Sequence, residues 1–271
     1  MVWAASGPGS SEHRVALVTG AARGIGASTV RSLAARGYRV VAVDACAGNG
    51  HGLPGVDYEL ATPDDLIDLQ QQCGEDVVTA IADVRDVAQL RSIADQTVRR
   101  WGRLDVAVAA AAVIAGGKPL WEENTLEVLW QVDVLGVWNT AAVTVPHMLA
   151  SEDPSGGRFI AVASSAGVRG IYRLAAYTTV KHAVVGLVRG LAADLVGTGV
   201  TAVAVCPGAT RTRKLRATAD IYGVPVEQLA DAHLLKQLLH PTEVGETIAF
   251  CCSREARGLN GSVVALDGAG G

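Results

Sequence analysis

Three residues suited to moving a proton follow one another in the second half of the chain. Tyr177 and Lys181 are four residues apart, which places both on one face of a helix, and Ser164 precedes Tyr177 by thirteen residues. An ammonium beside a phenol favours the phenolate and lowers the phenol pKa from its usual value near 10. The set predicts proton exchange with an alcohol or carbonyl oxygen that Ser164 orients.

A glycine-rich turn near the start of the chain has the spacing of a phosphate-binding loop. The predicted strand Val15–Thr19 runs into the segment 19–26, which reads TGAARGIG and opens into a helix. Glycines let the backbone approach a pyrophosphate, and the helix start offers N–H groups and the positive end of its dipole. The residues expected to contact a dinucleotide here are Gly20, Arg23, Gly24, Ile25 and Gly26.

Further predicted strands end in residues suited to the rest of a dinucleotide. Asp44 closes the second strand and can accept hydrogen bonds from both adenosine ribose hydroxyls, unless it merely caps a loop. A carboxylate there favours NAD(H) over NADP(H), although Arg23 could still attract a 2′-phosphate. Asp83 and Val84 should flank the adenine. The residues expected near the nicotinamide, besides Tyr177 and Lys181 at its ribose, are Pro207, Gly208, Thr210 and Thr212.

Short apolar runs alternate with helix-length amphipathic segments along the whole chain. The predicted strands are Val15–Thr19, Arg39–Asp44, Val77–Ala82, Leu104–Ala110, Arg158–Ser164, Val200–Cys206 and Ser262–Leu266. The predicted helices include Ile25–Arg36, Val87–Trp101, Leu126–Leu149 and Tyr177–Val196. This alternation predicts an α/β fold, a Rossmann-type doubly wound sheet of seven mainly parallel strands with helices on both faces.

The chain is expected to contain one folded domain with two irregular regions. Residues 1–13 look like a flexible tail, and residues 14–271 form the domain. The region 45–76 is long for one crossover, and we interpret it as an insertion that ends in a short helix capped at Thr62-Pro63. The region 209–241, with a basic loop and a short amphipathic helix near Val226–Leu239, suits a substrate lid.

Composition excludes several classes of function. The chain has 271 residues and a net charge of −4, so it offers no overall positive field for nucleic acid or an anionic membrane. Its five cysteines show no metal-ligand spacing, which predicts reduced thiols and no metal site. We see no signal-like start and no apolar stretch near the roughly 18 residues of a membrane span. A cytoplasmic protein with a small-molecule partner is expected.

These motifs, in this order from Arg14 to Gly268, resemble the short-chain dehydrogenase/reductase family. The resemblance implies an NAD(H)-dependent enzyme that acts on CH–OH groups, and a homotetramer built largely on the two long helices. It assigns cofactor binding to Gly20, Gly24, Ile25, Asp44, Asp83 and Thr212. It assigns catalysis to Ser164, Tyr177 and Lys181.

A closer resemblance is to an actinobacterial subgroup whose members are coupled to mycofactocin. It is carried by the segments VAVDAC, YELATPDDL, DVRD, GVWNT, GRFIAVASSAG, YTTVKHAVVGL and LAADL. The resemblance implies that the insertion covers a bound NAD, which does not exchange freely and is reoxidised in place by this peptide-derived redox carrier. Small and aliphatic residues after Ser164 and after Pro207 indicate a fairly apolar alcohol or carbonyl substrate.

Two positions depart from the family pattern. The segment 109–112 reads AAAA where the family has NNAG, and Asp133 stands where the family has an active-site asparagine. An ionised aspartate accepts but does not donate hydrogen bonds, and near Lys181 it should form an ion pair. Asp133 is then a tolerated variant, a site tuned to another pH optimum, or a partial loss of activity.

Other interpretations of these patterns stay open. A 3-oxoacyl-thioester reductase with exchangeable cofactor, or a non-catalytic NAD-binding scaffold, would use the same fold. The basic residues Arg211, Arg213, Lys214 and Arg216 could receive an anionic substrate tail, although such a cluster is usually a solvated loop. The tryptophans Trp121, Trp130 and Trp138 are expected in the core or in subunit contacts.

Overall fold

Seven parallel strands form one sheet at the centre of the molecule. The computed structural model describes residues 13–48 and 53–268, so nearly all of the predicted tail lies outside the described residues. The strand order is β3-β2-β1-β4-β5-β6-β7. The strands are β1 Val15–Thr19, β2 Arg39–Asp44, β3 Val77–Ile81, β4 Val106–Ala109, β5 Arg158–Val162, β6 Thr201–Pro207 and β7 Val263–Leu266. The predicted Rossmann-type doubly wound sheet is confirmed.

The order of the strands determines where a ligand can bind. The chain moves outward from β1 to β3, then returns to the other side of β1 and continues from β4 to β7. At such a reversal the connections leave β1 and β4 in opposite directions and open a crevice at the carboxyl ends of the strands. The glycine turn follows β1 directly, and Ser164 follows β5, so both lie at this edge.

Helices cover both faces of the sheet, which explains why the strands are runs of valine and alanine. The helices are α1 Gly24–Ala34, α2 Pro63–Cys73, α3 Val87–Trp101, α4 Leu126–Leu129, α5 Gly136–Leu149, α6 Ala175–Asp194, α7 Arg213–Tyr222 and α8 Pro241–Cys251. Side chains of α1, α2 and α8 pack on one face, and those of α3, α5 and α6 on the other. Strands buried from both sides have no polar face to present.

The long helix predicted at 126–149 is interrupted by a wider turn. A π-helical segment, Trp130–Leu135, separates α4 from α5 and contains Asp133. By length and composition alone the run Leu126–Leu149 could cross a membrane, contrary to the expectation from sequence, but 67% of its most apolar window is buried inside the protein. Such burial is typical of a core helix. π-Turns occur often at functional sites, because they re-aim one side chain.

The insertion after β2 ends in the helix predicted there. Irregular chain leads to Thr62, whose N–H and hydroxyl both donate to the Asp65 carboxylate, at 2.7 and 2.8 Å, and Pro63 begins α2. Carboxylates in a first helical turn also interact favourably with the helix dipole. The short capped helix is therefore confirmed.

The lid region differs from the sequence prediction. The basic segment predicted as a loop starts the helix α7, because the Thr212 hydroxyl accepts the N–H of Leu215 at 3.3 Å and caps the first turn. The helix predicted near Val226–Leu239 is only a 3₁₀ segment, Val226–Ala232. The amphipathic pattern does not continue as helix because His233 is extended, with φ of −97° and ψ of 141°, and Lys236 is left-handed, with φ of 52°.

Candidate active site

The predicted site residues meet around two neighbouring cavities at the carboxyl edge of the sheet. The first, which we call the cofactor cleft, is lined by Gly20, Arg23, Gly24, Ile25, Gly26, Asp44, Asp83, Val84 and Thr212, among others. The second, the substrate cavity, measures about 190 Å³ and is lined by Ser164, Tyr177, Pro207, Gly208, Thr210 and Thr212, among others. Lys181 and Asp133 are buried beside Tyr177. The two cavities share Ile25, Val162, Thr212 and Lys214.

Ser164 lies where β5 gives way to a 3₁₀ turn. Its backbone is extended, and its hydroxyl oxygen accepts the N–H of Ala166 at 3.2 Å, which caps the turn and fixes the side chain at the cavity. Because the oxygen accepts in that contact, the hydroxyl hydrogen can donate to a substrate oxygen. Ser164 and Tyr177 line the same cavity, as the sequence predicted.

Lys181 and Asp133 form the buried ion pair that the sequence predicted. The Lys181 ammonium lies 2.9 Å from Asp133 Oδ2, and both side chains are almost fully excluded from solvent. Burial alone would lower the pKa of Lys181, but the negative charge of Asp133 and the neighbouring Tyr177 outweigh it and raise that pKa. Lys181 is therefore cationic, and its nitrogen lies 5.6 Å from the centre of the Tyr177 ring.

The second oxygen of Asp133 holds the main chain beside the cleft. Oδ1 accepts the N–H of Val113 at 2.9 Å, directly after the segment 109–112 that stands where the family has NNAG. The carboxylate can hold the ammonium and the amide together because the π-segment directs it into the interior. Asp133 thus joins the chain after β4 to the helix α6.

The glycine turn has the shape of a cradle for a pyrophosphate. A Cβ at Gly26 would lie 2.0 Å from the oxygen of Gly20, and one at Gly20 would lie 2.5 Å from the nitrogen of Ala111. Only glycine fits at either position, and Gly20 also has a left-handed φ of 65°. The turn packs directly on the start of α1, whose N–H groups face the cleft side. These residues fit a dinucleotide.

Asp44 is held in place for an adenosine ribose. Its two oxygens accept the N–H groups of Ala22 and Cys46, each at 3.0 Å. Burial raises its pKa, and the two backbone hydrogen bonds oppose this shift. The carboxylate faces the cofactor cleft and leaves lone pairs for the ribose hydroxyls.

Arg23 is already paired with two carboxylates. Its guanidinium binds Glu59 at 3.2 Å, Asp65 at 2.8 Å and the carbonyl of Leu60 at 2.9 Å. Glu59 also pairs with Arg213 at the start of α7. We call these four charged residues, Arg23, Glu59, Asp65 and Arg213, the latch. The latch ties the insertion to the glycine turn on one side and to the lid on the other.

Asp83 and Val84 line the cleft at the end of β3, as predicted for an adenine pocket. The Asp83 carboxylate accepts two hydrogen bonds from the Arg85 guanidinium, at 3.0 and 2.6 Å, which outweigh burial and lower its pKa. The carbonyl of Val84 accepts the side-chain amide of Asn139 at 2.9 Å. Val84 is thereby fixed against α5, and Asp83 is held by Arg85.

His233 was missed by the sequence analysis. It is buried under the lid, where its Nε2 accepts the N–H of Ala209 at 2.9 Å and its Nδ1 donates to the carbonyl of Gln237 at 2.8 Å. A Cβ at Gly208 would lie 2.5 Å from its Nε2. His233 therefore supports the Pro207-Gly208 turn from below, and no spacing in the sequence links it to that turn.

The basic cluster and the tryptophans are only partly as expected. Arg213 belongs to the latch, and Lys214 lines both cavities, whereas Arg211 and Arg216 line a separate open groove outside α1. Trp121, Trp130 and Trp138 are exposed by 81%, 41% and 62%, so they are not core residues in the single chain. Within the described residues, no three His, Cys, Asp or Glu side chains are grouped to hold a metal ion.

Comparison with known proteins finds relatives over most of the chain. A family model described as enoyl-(acyl carrier protein) reductase matches residues 20–269. A (-)-trans-carveol dehydrogenase of Rhodococcus erythropolis is 32% identical, with 94% of this chain and 96% of that protein covered. A putative short-chain type dehydrogenase/reductase of Mycolicibacterium smegmatis is 30% identical, with 96% and 97% covered.

Solved structures share the whole fold. A short-chain dehydrogenase from Mycobacterium paratuberculosis bound to NAD superposes with a TM-score of 0.84 at 30% identity and covers 96% of this chain and 98% of that chain. A carveol dehydrogenase from Mycobacterium avium in complex with NAD gives a TM-score of 0.83 at 29% identity, covering 94% and 96%. The chain therefore belongs to the short-chain dehydrogenase/reductase family.

Proposed function

We propose that this protein interconverts a compact secondary or primary alcohol and its carbonyl compound, using NAD that stays bound between turnovers. As a member of this family it is an NAD-dependent oxidoreductase acting on alcohols. The observation that carries the proposal is that Ser164 and Tyr177 line one cavity beside the cofactor cleft, with the Lys181–Asp133 pair buried next to Tyr177.

The residues of the site divide the chemistry between them. Ser164 donates a hydrogen bond to the substrate oxygen and orients it towards Tyr177. In oxidation the Tyr177 oxygen takes the hydroxyl proton, and in reduction it returns that proton to the carbonyl oxygen. Bound NAD supplies the acceptor for the hydride that leaves the carbinol carbon. Lys181 stabilises negative charge on Tyr177, and Asp133 holds the ammonium in place.

The substrate cavity supports a compact, largely apolar substrate. Its volume of about 190 Å³ is near that of a cavity of about 150 Å³ that holds one benzene molecule. About half of the residues in its wall are aliphatic, among them Ile114, Ile171, Leu174 and Leu215. Two relatives bear the names of enzymes for cyclic alcohols, (-)-trans-carveol dehydrogenase and cis-4-hydroxycyclohexanecarboxylate dehydrogenase. We propose a cyclic secondary alcohol as substrate and the region 209–241 as its lid.

The position of the insertion at the cofactor cleft supports the proposal that NAD does not exchange freely. Leu53, Tyr58, Glu59 and Leu60 of the insertion line the cofactor cleft, so NAD would lie beneath them. Reduced NAD that does not leave this cleft must be reoxidised in place, and we propose that a mycofactocin-type carrier does so. Mass spectrometry and ultraviolet absorbance of the purified protein should reveal about one NAD per chain. Protein that arrives without NAD and turns over briskly with added NAD alone would contradict this part.

The latch should make cofactor retention sensitive to acid. Hydrogen bonds from Arg213 and Arg23 lower the pKa of Glu59. The contribution of the ionised Glu59 to the stability of the latch is therefore complete above the unfolded pKa of 4.5, and it is lost as the pH falls through the lower folded pKa. Burial raises the pKa of Asp65, but bonds from Arg23 and Thr62 outweigh it and lower that pKa below 3.8. We expect NAD release to be slow near neutral pH and to accelerate below about pH 4.5.

Replacing Glu59 by Gln should release NAD faster at neutral pH. The change removes the charge on both arginine contacts, and exposed ion pairs contribute little each, so we expect a rate increase of only about three- to tenfold. The loss of bound NAD can be followed by its fluorescence after reduction, during rapid dilution. Glu246→Gln breaks a similar exposed pair with Arg36 outside the cleft and serves as the control. Equal release rates in the three proteins would show that the latch does not retain NAD.

A thioester reductase with exchangeable cofactor is the main alternative. The family model carries an acyl-carrier-protein description, and Lys214 at the cavity could meet an anionic carrier. Asp44 and the engaged Arg23 favour NAD over NADP, which biosynthetic reductases more often use. Activity with a 3-oxoacyl thioester and NADPH, but not with a cyclic alcohol and NAD, would favour the alternative. Binding of NAD without any turnover would favour a non-catalytic scaffold.

We also propose a homotetramer in the cytoplasm. Trp138 and Trp130 project from the run Leu126–Leu149, and the exposure of these two large apolar side chains in the single chain supports a partner surface there. All five cysteines are free thiols, which suits a reducing compartment. Trp138→Lys should shift the protein from tetramer to dimer or monomer in light scattering. A monomeric wild type, or a tetrameric variant, would contradict the proposed interface.

A further inference from the structure

Tyr58 connects the insertion to the backbone beside the catalytic ion pair. Its hydroxyl oxygen accepts the N–H of Ile114 at 3.1 Å. The preceding amide, that of Val113, donates to Asp133 at 2.9 Å. Two consecutive N–H groups are therefore held by two different acceptors, one from the insertion and one from the catalytic centre.

The surroundings of Tyr58 fix its position independently of this hydrogen bond. Val56 is buried in the core cluster that also contains Tyr177, and Tyr58 packs against the same cluster. Gly55 approaches Thr125 so closely that a Cβ there would lie 2.8 Å from the Thr125 methyl. The insertion therefore keeps its place by packing at 55–56, and the hydroxyl of Tyr58 adds a directional contact.

The charges near Tyr58 make it a hydrogen-bonding group and not a second acid or base. Burial raises its pKa most, the Ile114 amide opposes the shift, and the negative charge of Asp133 and the proximity of Tyr177 raise the pKa further. The charged group that acts on Tyr58 is the Asp133 carboxylate, which is itself paired with the Lys181 ammonium. The Tyr58 phenol therefore stays neutral and serves as the acceptor of the Ile114 N–H.

We propose that Tyr58 is a positioning residue that couples closure of the insertion to proton transfer. With the insertion closed, its hydroxyl fixes the 113–114 backbone, which in turn fixes the Asp133 carboxylate and the Lys181 ammonium beside Tyr177. With the insertion open, one of the two amides loses its acceptor and the ion pair is held less firmly. The proposal rests on the proposed alcohol-oxidising function. The coupling makes proton transfer efficient only when the insertion covers the cofactor cleft.

Tyr58→Phe tests this coupling because it removes the hydroxyl and keeps the ring. The measurement is the single-turnover rate at which bound NAD is reduced by a saturating cyclic secondary alcohol. We expect this rate to fall about tenfold, since small displacements of catalytic groups have large effects, while the substrate KM and the amount of retained NAD change less than about twofold. Loss of one hydrogen bond is small against the stability of such a domain, so the variant should fold.

Tyr38→Phe provides the matched control. The Tyr38 hydroxyl is also hydrogen-bonded, to Arg14 at 2.6 Å and to the carbonyl of Cys252 at 3.3 Å, but it lies before β2 at the opposite edge of the sheet. This variant should lose some thermal stability and keep the wild-type single-turnover rate. A Tyr58→Phe variant that behaves like Tyr38→Phe would overturn the inference.

A double-mutant cycle shows whether Tyr58 acts through Asp133. If it does, Tyr58→Phe should slow an Asp133→Ala protein by less than about twofold, because the carboxylate that Tyr58 positions through the 113–114 backbone is absent. Independent, multiplicative effects of the two changes would overturn the inference. A wild type that reduces no NAD with any alcohol refutes the proposed function instead, whereas an active wild type with an equally active Tyr58→Phe refutes only the coupling.

Discussion

Replacing Tyr177 by Phe is expected to reduce turnover by about a thousandfold, within the range that general acid–base catalysis contributes. The phenol oxygen is the atom at the substrate cavity that can take the hydroxyl proton, and Lys181 lies 5.6 Å from the ring centre to support negative charge there. Phenylalanine keeps the ring, which packs in the core with Val180 and Leu174. The fold and the cofactor cleft should therefore be unchanged.

The measurement must separate chemistry from binding. Steady-state kcat should fall, while NAD content, measured by mass spectrometry, and the thermal melting temperature stay close to wild type. Tyr222→Phe offers a comparison. Tyr222 lines the same cavity, and its hydroxyl donates to the carbonyl of Tyr172 at 2.8 Å. This variant should affect KM more than kcat. A Tyr177→Phe enzyme that retains more than about a tenth of wild-type turnover would contradict the assigned role.

Asp133→Ala is expected to destabilise the protein by about 3–5 kcal/mol, the usual effect of removing one partner of a buried ion pair. The change leaves the Lys181 ammonium in the interior without its carboxylate and leaves the Val113 amide without an acceptor. Denaturant unfolding near neutral pH measures the loss directly. Asp133 raises the pKa of Lys181 in the folded protein. The contribution of the ion pair to the free energy of unfolding is therefore complete below the unfolded lysine pKa of 10.5, and it is lost as the pH rises through the higher folded pKa.

Asp133→Asn separates the charge of this residue from its shape. The amide can still accept the Val113 N–H, but it no longer raises the pKa of Lys181, so burial lowers that pKa and the ammonium loses its proton at lower pH. We therefore expect the alkaline limb of the pH–rate profile to move to lower pH. A shifted limb would identify Asp133 as a tuned site. An unchanged profile with full activity would make it a tolerated variant, and higher activity in the variant would indicate partial loss in the natural protein.

The sheet and the cofactor turn could be predicted because short-range patterns determine them. Val15–Thr19 and Arg39–Asp44 have the predicted bounds, since runs of β-branched residues between helical segments allow few other structures. The pairing of Tyr177 with Lys181 follows from helical periodicity, and the ion pair of Lys181 with Asp133 from their charges. Each of these features depends on neighbouring residues or on a motif of fixed spacing.

The contacts of the insertion and of the lid could not be predicted in the same way. Tyr58 meets Ile114 across 56 positions, and His233 meets Ala209 across 24, and no periodic pattern relates such pairs. The π-segment around Asp133 reads as ordinary helix, because its composition does not differ from that of α5. The helix α7 was missed because its basic first turn suggested a solvated loop, whereas the Thr212 cap starts a helix there.

The most direct test of the central claim is one turnover of the protein as purified with its own NAD. A cyclic secondary alcohol is added without external cofactor, and the absorbance of reduced nicotinamide is recorded for the wild type and for Tyr177→Phe. The account predicts a rapid rise to about one reduced nicotinamide per chain in the wild type, slowed about a thousandfold in the variant. No rise in the wild type with NAD present, or an equal rate in the variant, would contradict it.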